Sequence, residues 1–224
     1  MIKNISNLGD AALYCDFGEE VNKEINSKVI NYFNNIKGQK ILGITNIVPS
    51  YNKLIITFDL NLTNFEKISE ILKTIDLKPY DNSKNKLIKI PICCEDEFAL
   101  DIDRLEKNFQ ISKDQILKNF FFKEYFCYMT GFIAGLPFLG DLDESLKSRR
   151  LETPRVKIPK GSVGLAEQFC NIYTFESPGG WNIIGNTPTN IFDKKNELKP
   201  NLINPGDTVV FEQISIDQFE KHNG

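Results

Sequence analysis

Two rhythms of hydrophobic and polar positions run through the N-terminal part of the chain. Ala12 to Phe17 forms a short apolar run after a Gly-Asp turn, the mark of a strand. Val21, Ile25, Val29, Tyr32, Phe33 and Ile36 then recur at helical spacing, with Gly38 placed to end the helix. Ile41 to Val48 and Leu54 to Phe58 are β-rich runs split by the turn-type cluster Pro49-Ser50-Tyr51-Asn52. Thr63 and Glu66 have the spacing of a capping box, opening a helix that carries Phe65, Ile68, Leu72 and Ile75 on one face. Leu87 to Cys93 reads as one more strand. The order β-α-β-β-α-β predicts a ferredoxin-like split βαβ domain over residues 1–93.

A helical bridge follows. Phe98 to Phe109 is amphipathic, and Ser112 with Gln115 is a second capping box ahead of Ile116 and Leu117. From Tyr125 onward short β-type runs alternate with Gly and Pro: Tyr125–Phe132, Val156–Ile158, Val163–Ala166, Ile172–Phe175, Trp181–Ile184 and Thr208–Ile214. That spacing predicts a closed or nearly closed β structure over residues 94–224. Ser215 and Gln218 are placed to cap a short terminal helix through Phe219, and the fold class expected is α+β.

Composition narrows the function classes. The 224 residues are 41% hydrophobic and 25% charged, ordinary for a globular chain long enough to bury a core. A net charge of −3 provides no basic footprint for nucleic acid or an anionic membrane. The N-terminus lacks the apolar core of a signal peptide, and no apolar run approaches the ~18 residues of a membrane span. The five cysteines, Cys15, Cys93, Cys94, Cys127 and Cys170, form no C-x-x-C pair and lie mostly in apolar stretches. Buried free thiols and no metal site are expected, in a reducing cytoplasm. The acidic run Glu95-Asp96-Glu97 with Asp101 and Asp103 reads as a solvated face, and Phe120-Phe121-Phe122 as core or interface.

Chemistry is concentrated between Gly131 and Pro188, in G-F-I-A-G-L-P-F-L-G (131–140), T-P-R-V-K-I-P-K-G-S-V-G (153–164) and Y-T-F-E-S-P-G-G-W-N-I-I-G-N-T-P (173–188). Glycines permit positive φ and close backbone approach to a ligand, while prolines fix the adjoining turns. Pro178-Gly179-Gly180-Trp181 is such a turn and ends in the single tryptophan, a flat apolar wall with one N–H donor. Arg155 beside Pro154 offers a fork suited to a carboxylate or phosphate. The same residues also read as barrel corners with Trp181 plugging the core, so both readings stand at this point.

These three blocks, with Pro205-Gly206-Asp207-Thr208-Val209-Val210-Phe211, resemble the allophanate hydrolase subunit 1 family, which includes the B subunit of bacterial 5-oxoprolinase and a Kip-type inhibitor of a sporulation histidine kinase. The resemblance extends upstream through Pro91-Ile92-Cys93 and Pro49-Ser50-Tyr51-Asn52-Lys53-Leu54. It implies a cyclophilin-like β-barrel for the C-terminal domain, and two partners: a homologous larger subunit of the C type and a lactam-hydrolase subunit of the A type. The implied activity is ATP-dependent opening of 5-oxo-L-proline to L-glutamate, with ATP and Mg used through the complex. Arg155, Ser162, Tyr173, Gly179, Gly180, Trp181 and Thr187 would then line the substrate cleft; no residue is marked as nucleophile or base. Kinase inhibition without catalysis, or a part in urea and allophanate metabolism, are the alternatives the resemblance leaves open. Against the usual family strings this chain has Ala134, Leu136 and Phe138 for Pro, Phe and Tyr, and Asn182 and Asn186 for two arginines. Glu167-Gln168-Phe169-Cys170-Asn171 stands where a Gly-Gly-Gln-Thr-Gly segment is common, and Asn119 and Phe120 lie where a histidine is often found.

Overall fold

A computed structural model describes residues 1–79 and 85–223. The chain divides into two compact units, Met1–Lys84 and Asn85–Gly224.

The first unit is a four-stranded antiparallel sheet with two helices. Its strands are β1 (Asn4–Asn7), β2 (Ala12–Asp16), β3 (Ile44–Pro49) and β4 (Lys53–Phe58), in the spatial order β1-β2-β4-β3. Alternation along β4 buries Leu54, Ile56 and Phe58 against Val29, Tyr32 and Ile36 of α1 (Lys23–Gln39) and Ile68 and Leu72 of α2 (Phe65–Thr74). Asn22 caps α1 by accepting from the Ile25 N–H, and Asn64 caps α2 by accepting from the Lys67 N–H. The α2 cap is therefore one residue beyond the expected Thr63. Gly38 lies inside α1, which ends at Lys40 in the left-handed conformation, φ 47°.

The second unit is a closed barrel of β5 (Leu87–Cys93), β6 (Glu124–Thr130), β7 (Pro137–Gly140), β9 (Ser162–Ala166), β10 (Phe169–Ile172), β12 (Asn182–Asn186) and β13 (Thr208–Ile214). A two-stranded sheet, β8 (Arg155–Ile158) with β11 (Ser177–Gly179), stands apart from the barrel ladder. The helices of this unit are α3 (Ile102–Phe109), α4 (Lys113–Phe121) and α5 (Ile216–Asn223). Both expected caps form: the Gln115 N–H donates to Ser112 Oγ, and Ser215 and Gln218 cap reciprocally.

One assignment needs correction. Leu87–Cys93, read from the sequence as the last strand of the N-terminal domain, lies in the barrel, parallel to β13 in unbroken register from Thr208↔Leu87 to Ile214↔Cys93. The edge of the N-terminal sheet beside β2 is taken instead by β1, a short polar strand that alternation does not reveal. The N-terminal sheet is thus built from ββαββα, not from the split βαβ order. Ile90 and Ile92 are buried in the barrel core, and β5 joins β13 to β12, which closes the barrel and removes its edges.

Candidate functional site

The hydrogen-bond ladder around Tyr173 gathers the residues expected to line a cleft. Tyr173 follows β10, its N–H donating to the Ser162 carbonyl while its own carbonyl accepts from the Gly161 N–H. The Gly161 carbonyl in turn accepts from the Thr187 N–H, and Ser162 sits opposite Asn186 in the β9–β12 pair. Gly161 needs to be glycine: its φ is 83°, and a Cβ there would strike the Thr187 carbonyl oxygen. Ser162, Tyr173 and Thr187 are all buried.

Gly179 pairs with Arg155 across the β8–β11 sheet, against the hydroxyl end of Tyr173. Neither Gly179 nor Gly180 has a positive φ; at Gly179 the reason for glycine is space, whereas a Cβ at Gly180 would fit. A Cβ on Gly179 would meet the Tyr173 hydroxyl and come within 2.8 Å of Ile158 Cδ1. Burial raises the Tyr173 pKa, against the lowering effects of the Asn171 side chain, the nearby Arg150 and Arg155 charges and the Trp181 backbone. The hydroxyl therefore stays protonated at neutral pH.

Trp181 is 6% exposed, held edge-to-face against Phe138 with centroids 5.7 Å apart, and the Arg150 guanidinium lies 5.6 Å from its ring centre. It is neither a plug in the barrel's main core nor a bare wall: a cation covers it. The Leu151 N–H donates to the Gly180 carbonyl at 2.6 Å, tying the Ser148–Leu151 segment to the turn.

Arg155 already has an anionic partner. Its two terminal nitrogens donate to the two Asp101 carboxylate oxygens at 2.9 and 2.7 Å, and Asp101 Oδ2 also accepts from the Ile183 N–H at 2.7 Å. The Asp101 side chain is 4% exposed and that of Arg155 30%. The forked guanidinium expected to face a ligand faces Asp101 instead, and Asp101 joins β8 to β12.

The chain has four arginines, Arg104, Arg149, Arg150 and Arg155, and all four contribute to this one region. Arg104, on α3, donates to the Asn182 side-chain oxygen; the Asn182 amide donates to the carbonyls of Arg149 and Leu165, each at 3.0 Å. Two buried polar atoms nearby, Asn171 Oδ1 and Ser177 Oγ, meet no partner among the described residues. Sequence reasoning missed Asp101, Arg104, Arg149, Arg150 and Asn171. The scarcity of arginine beside abundant lysine was the one available signal. The donor set is guanidinium, amide and backbone N–H, with one carboxylate already engaged, which fits an anion and does not fit a divalent cation.

Residues 3–203 match the carboxyltransferase domain, subdomain C and D family. The chain belongs to this family. A relative from Bacillus subtilis (strain 168), named as the B component of 5-oxoprolinase, is 31% identical over 235 aligned residues, covering 97% of this chain and 95% of the relative. The 5-oxoprolinase B component of Haemophilus influenzae is 35% identical over 171 residues, 76% of each chain. The crystal structure of TTHA0988 superposes with a TM-score of 0.83 at 25% identity, over 92% of this chain but 40% of that longer one.

Departures from the usual family strings now have locations. Asn182, in place of an arginine, is fully buried and receives Arg104 from α3. Asn186, in place of the second, donates to the Lys160 carbonyl at 2.9 Å. Phe138 packs on Trp181, and the Ala134 carbonyl accepts from the Thr174 hydroxyl at 2.7 Å. Glu167, where family members commonly have glycine, lies in the β9–β10 turn with φ 53°, a conformation glycine takes at less cost. Among the described residues no helix is long and apolar enough to cross a membrane.

Proposed function

We propose that this chain is the B-type component of a cytoplasmic, ATP-dependent 5-oxoprolinase that opens 5-oxo-L-proline to L-glutamate. The observation that carries this reading is the end-to-end match to the 5-oxoprolinase B component of Bacillus subtilis, at an identity that holds along nearly the whole of both chains. In this reading the chain acts with a homologous larger subunit and a lactam-hydrolase subunit. Mg and ATP come through those partners, because the sequence carries no recognisable nucleotide-binding motif. The arginine-rich turn supports a carboxylate-bearing substrate such as 5-oxoproline: Arg149 and Arg150 are exposed, while Arg155 and Asp101 hold β8 and β12 in place. Gly179, Gly180, Trp181 and the Ser162–Tyr173–Thr187 ladder supply the rigid backing.

The test is reconstitution. The chain is co-purified with its larger homologue and a lactam-hydrolase subunit, and glutamate release from 5-oxoproline is followed with and without ATP. The expected result is turnover only with all three chains and ATP, and none from this chain alone. Equal glutamate release when this chain is left out would refute the proposal.

A further inference from the structure

The N-terminal unit contains a cavity of about 390 Å³ that includes Ile5, Tyr32, Phe65, Ser69, Leu72 and Lys73 in its lining. That volume falls within the range of small-ligand pockets. On α2, Phe65, Ser69, Leu72 and Lys73 lie at i, i+4, i+7 and i+8 and so share one helical face. Ser69 therefore takes a buried position between Phe65 and Leu72 on that face.

Its hydroxyl is the unexplained group. Ser69 is 5% exposed, and its Oγ meets no hydrogen-bond partner. Helical hydroxyls ordinarily turn back to the carbonyl four residues earlier. Elsewhere in this unit they do: Ser27 Oγ donates to the Lys23 carbonyl at 2.7 Å and Thr74 Oγ1 to the Glu70 carbonyl at 2.9 Å. An orphaned buried hydroxyl costs about 1–3 kcal/mol, which a bound acceptor would recover. Tyr32, 7% exposed, lines the same cavity. Its hydroxyl oxygen takes the Ile2 N–H, and nothing among the described residues accepts its proton.

Two buried hydroxyl donors thus share a cavity walled by Ile5, Phe65 and Leu72. Lys73 stands exposed in the last turn of α2, with no carboxylate within ion-pair distance among the described residues. Lys3 also lines the cavity, but its ammonium is turned toward Gly18 and Asp16. Donors with no internal acceptor call for an acceptor-only group, and the ionised carboxylate is the side-chain-sized group of that kind. We propose that this cavity binds a small apolar carboxylate, its hydrocarbon against Phe65 and Leu72, its oxygens on Tyr32 and on the Ser69 hydroxyl rotated toward the cavity, and its charge balanced by Lys73. The site lies in the N-terminal unit and is independent of the function proposed for the barrel turn.

Isothermal titration of the full chain with octanoate, and with octan-1-ol as the neutral counterpart, tests this. Saturable octanoate binding is expected, with octan-1-ol weaker. A hydrogen bond to a charged group contributes about 1.5–3 kcal/mol, so Ser69→Ala should raise the Kd at least about tenfold. Lys73→Gln, which removes an exposed charge worth up to about 1 kcal/mol, should raise it up to about fivefold. Tyr32→Phe repeats the Ser69 test should that variant fail to fold. No saturable octanoate binding, or binding that Ser69→Ala and Tyr32→Phe leave unchanged, overturns the proposal. So does a Ser69→Ala chain that gains thermal stability with the same octanoate Kd, which would make the serine a frustrated core group and nothing more.

Discussion

Removing the Arg155 guanidinium should weaken the barrel unit by an amount the geometry sets. Asp101, 4% exposed, keeps only the Ile183 N–H once Arg155 is gone, losing donors at 2.7 and 2.9 Å. Breaking a buried ion pair from one side costs about 3–5 kcal/mol. Arg155 is 30% exposed, so water screens part of that, and the lower end applies. The expected loss is about 3 kcal/mol for Arg155→Ala and about 1.5 kcal/mol for Arg155→Lys, which retains charge but one arm of the fork. Asp101→Asn still accepts from Ile183, and the double-mutant cycle with Arg155→Ala should give a coupling of about 1–2 kcal/mol. Urea unfolding followed by tryptophan fluorescence reads this unit selectively, since Trp181 is the only tryptophan. A loss below about 0.5 kcal/mol for Arg155→Ala, or additive single mutants, would refute the claim that this pair fixes β8 to β12.

Three further outcomes can be checked in the same way. Gly179→Ala drives a Cβ into Tyr173 and Ile158 and should cost about 1–3 kcal/mol, whereas Gly180→Ala, whose nearest new contacts are 3.6 Å away, should change stability by under about 0.5 kcal/mol in urea unfolding. Burial pushes the Cys15 and Cys94 thiols up to about 12 and those of Cys127 and Cys170 well above the ordinary value. At pH 8 a thiol with that value is about one part in ten thousand thiolate, so a thiol-reactive dye should label the native chain slowly and all five cysteines after denaturation; rapid native labelling of Cys15 or Cys94 would contradict this. The Lys53 ammonium 2.6 Å away holds Asp16 below the usual carboxylate range. A lowered native value stabilises the fold above the unfolded carboxyl's pKa, and that stabilisation is lost as pH falls through the native one. Lys53→Met should therefore lower stability at neutral pH, with the gap to the parent closing in strongly acidic solution; a gap independent of pH would count against the pair.

Signals that act within one helical turn or one strand were legible in the chain. Ser112 caps α4 and Ser215 with Gln218 cap α5 as expected, because a cap spans only three residues, although the same spacing at Thr63 and Glu66 yields to Asn64 one residue on. The period-2 burial of Leu54, Ile56 and Phe58 likewise follows from strand geometry alone. The three motif blocks contain the Ser162–Tyr173–Thr187 ladder and Gly179, which lies against Tyr173. Partner choice was different. Leu87–Cys93 carries the alternation of a strand, but alternation is the same whether the neighbour is a sheet of the first unit or β13, more than a hundred residues away. Closing the barrel decided it. Arg155 reads as a free fork beside a proline until folding brings Asp101, 54 residues upstream, against it. Asp101 itself looked like one member of an acidic surface run. Burial at 4% exposure, which makes that carboxylate demand a cation, exists only once α3, β8 and β12 have packed together.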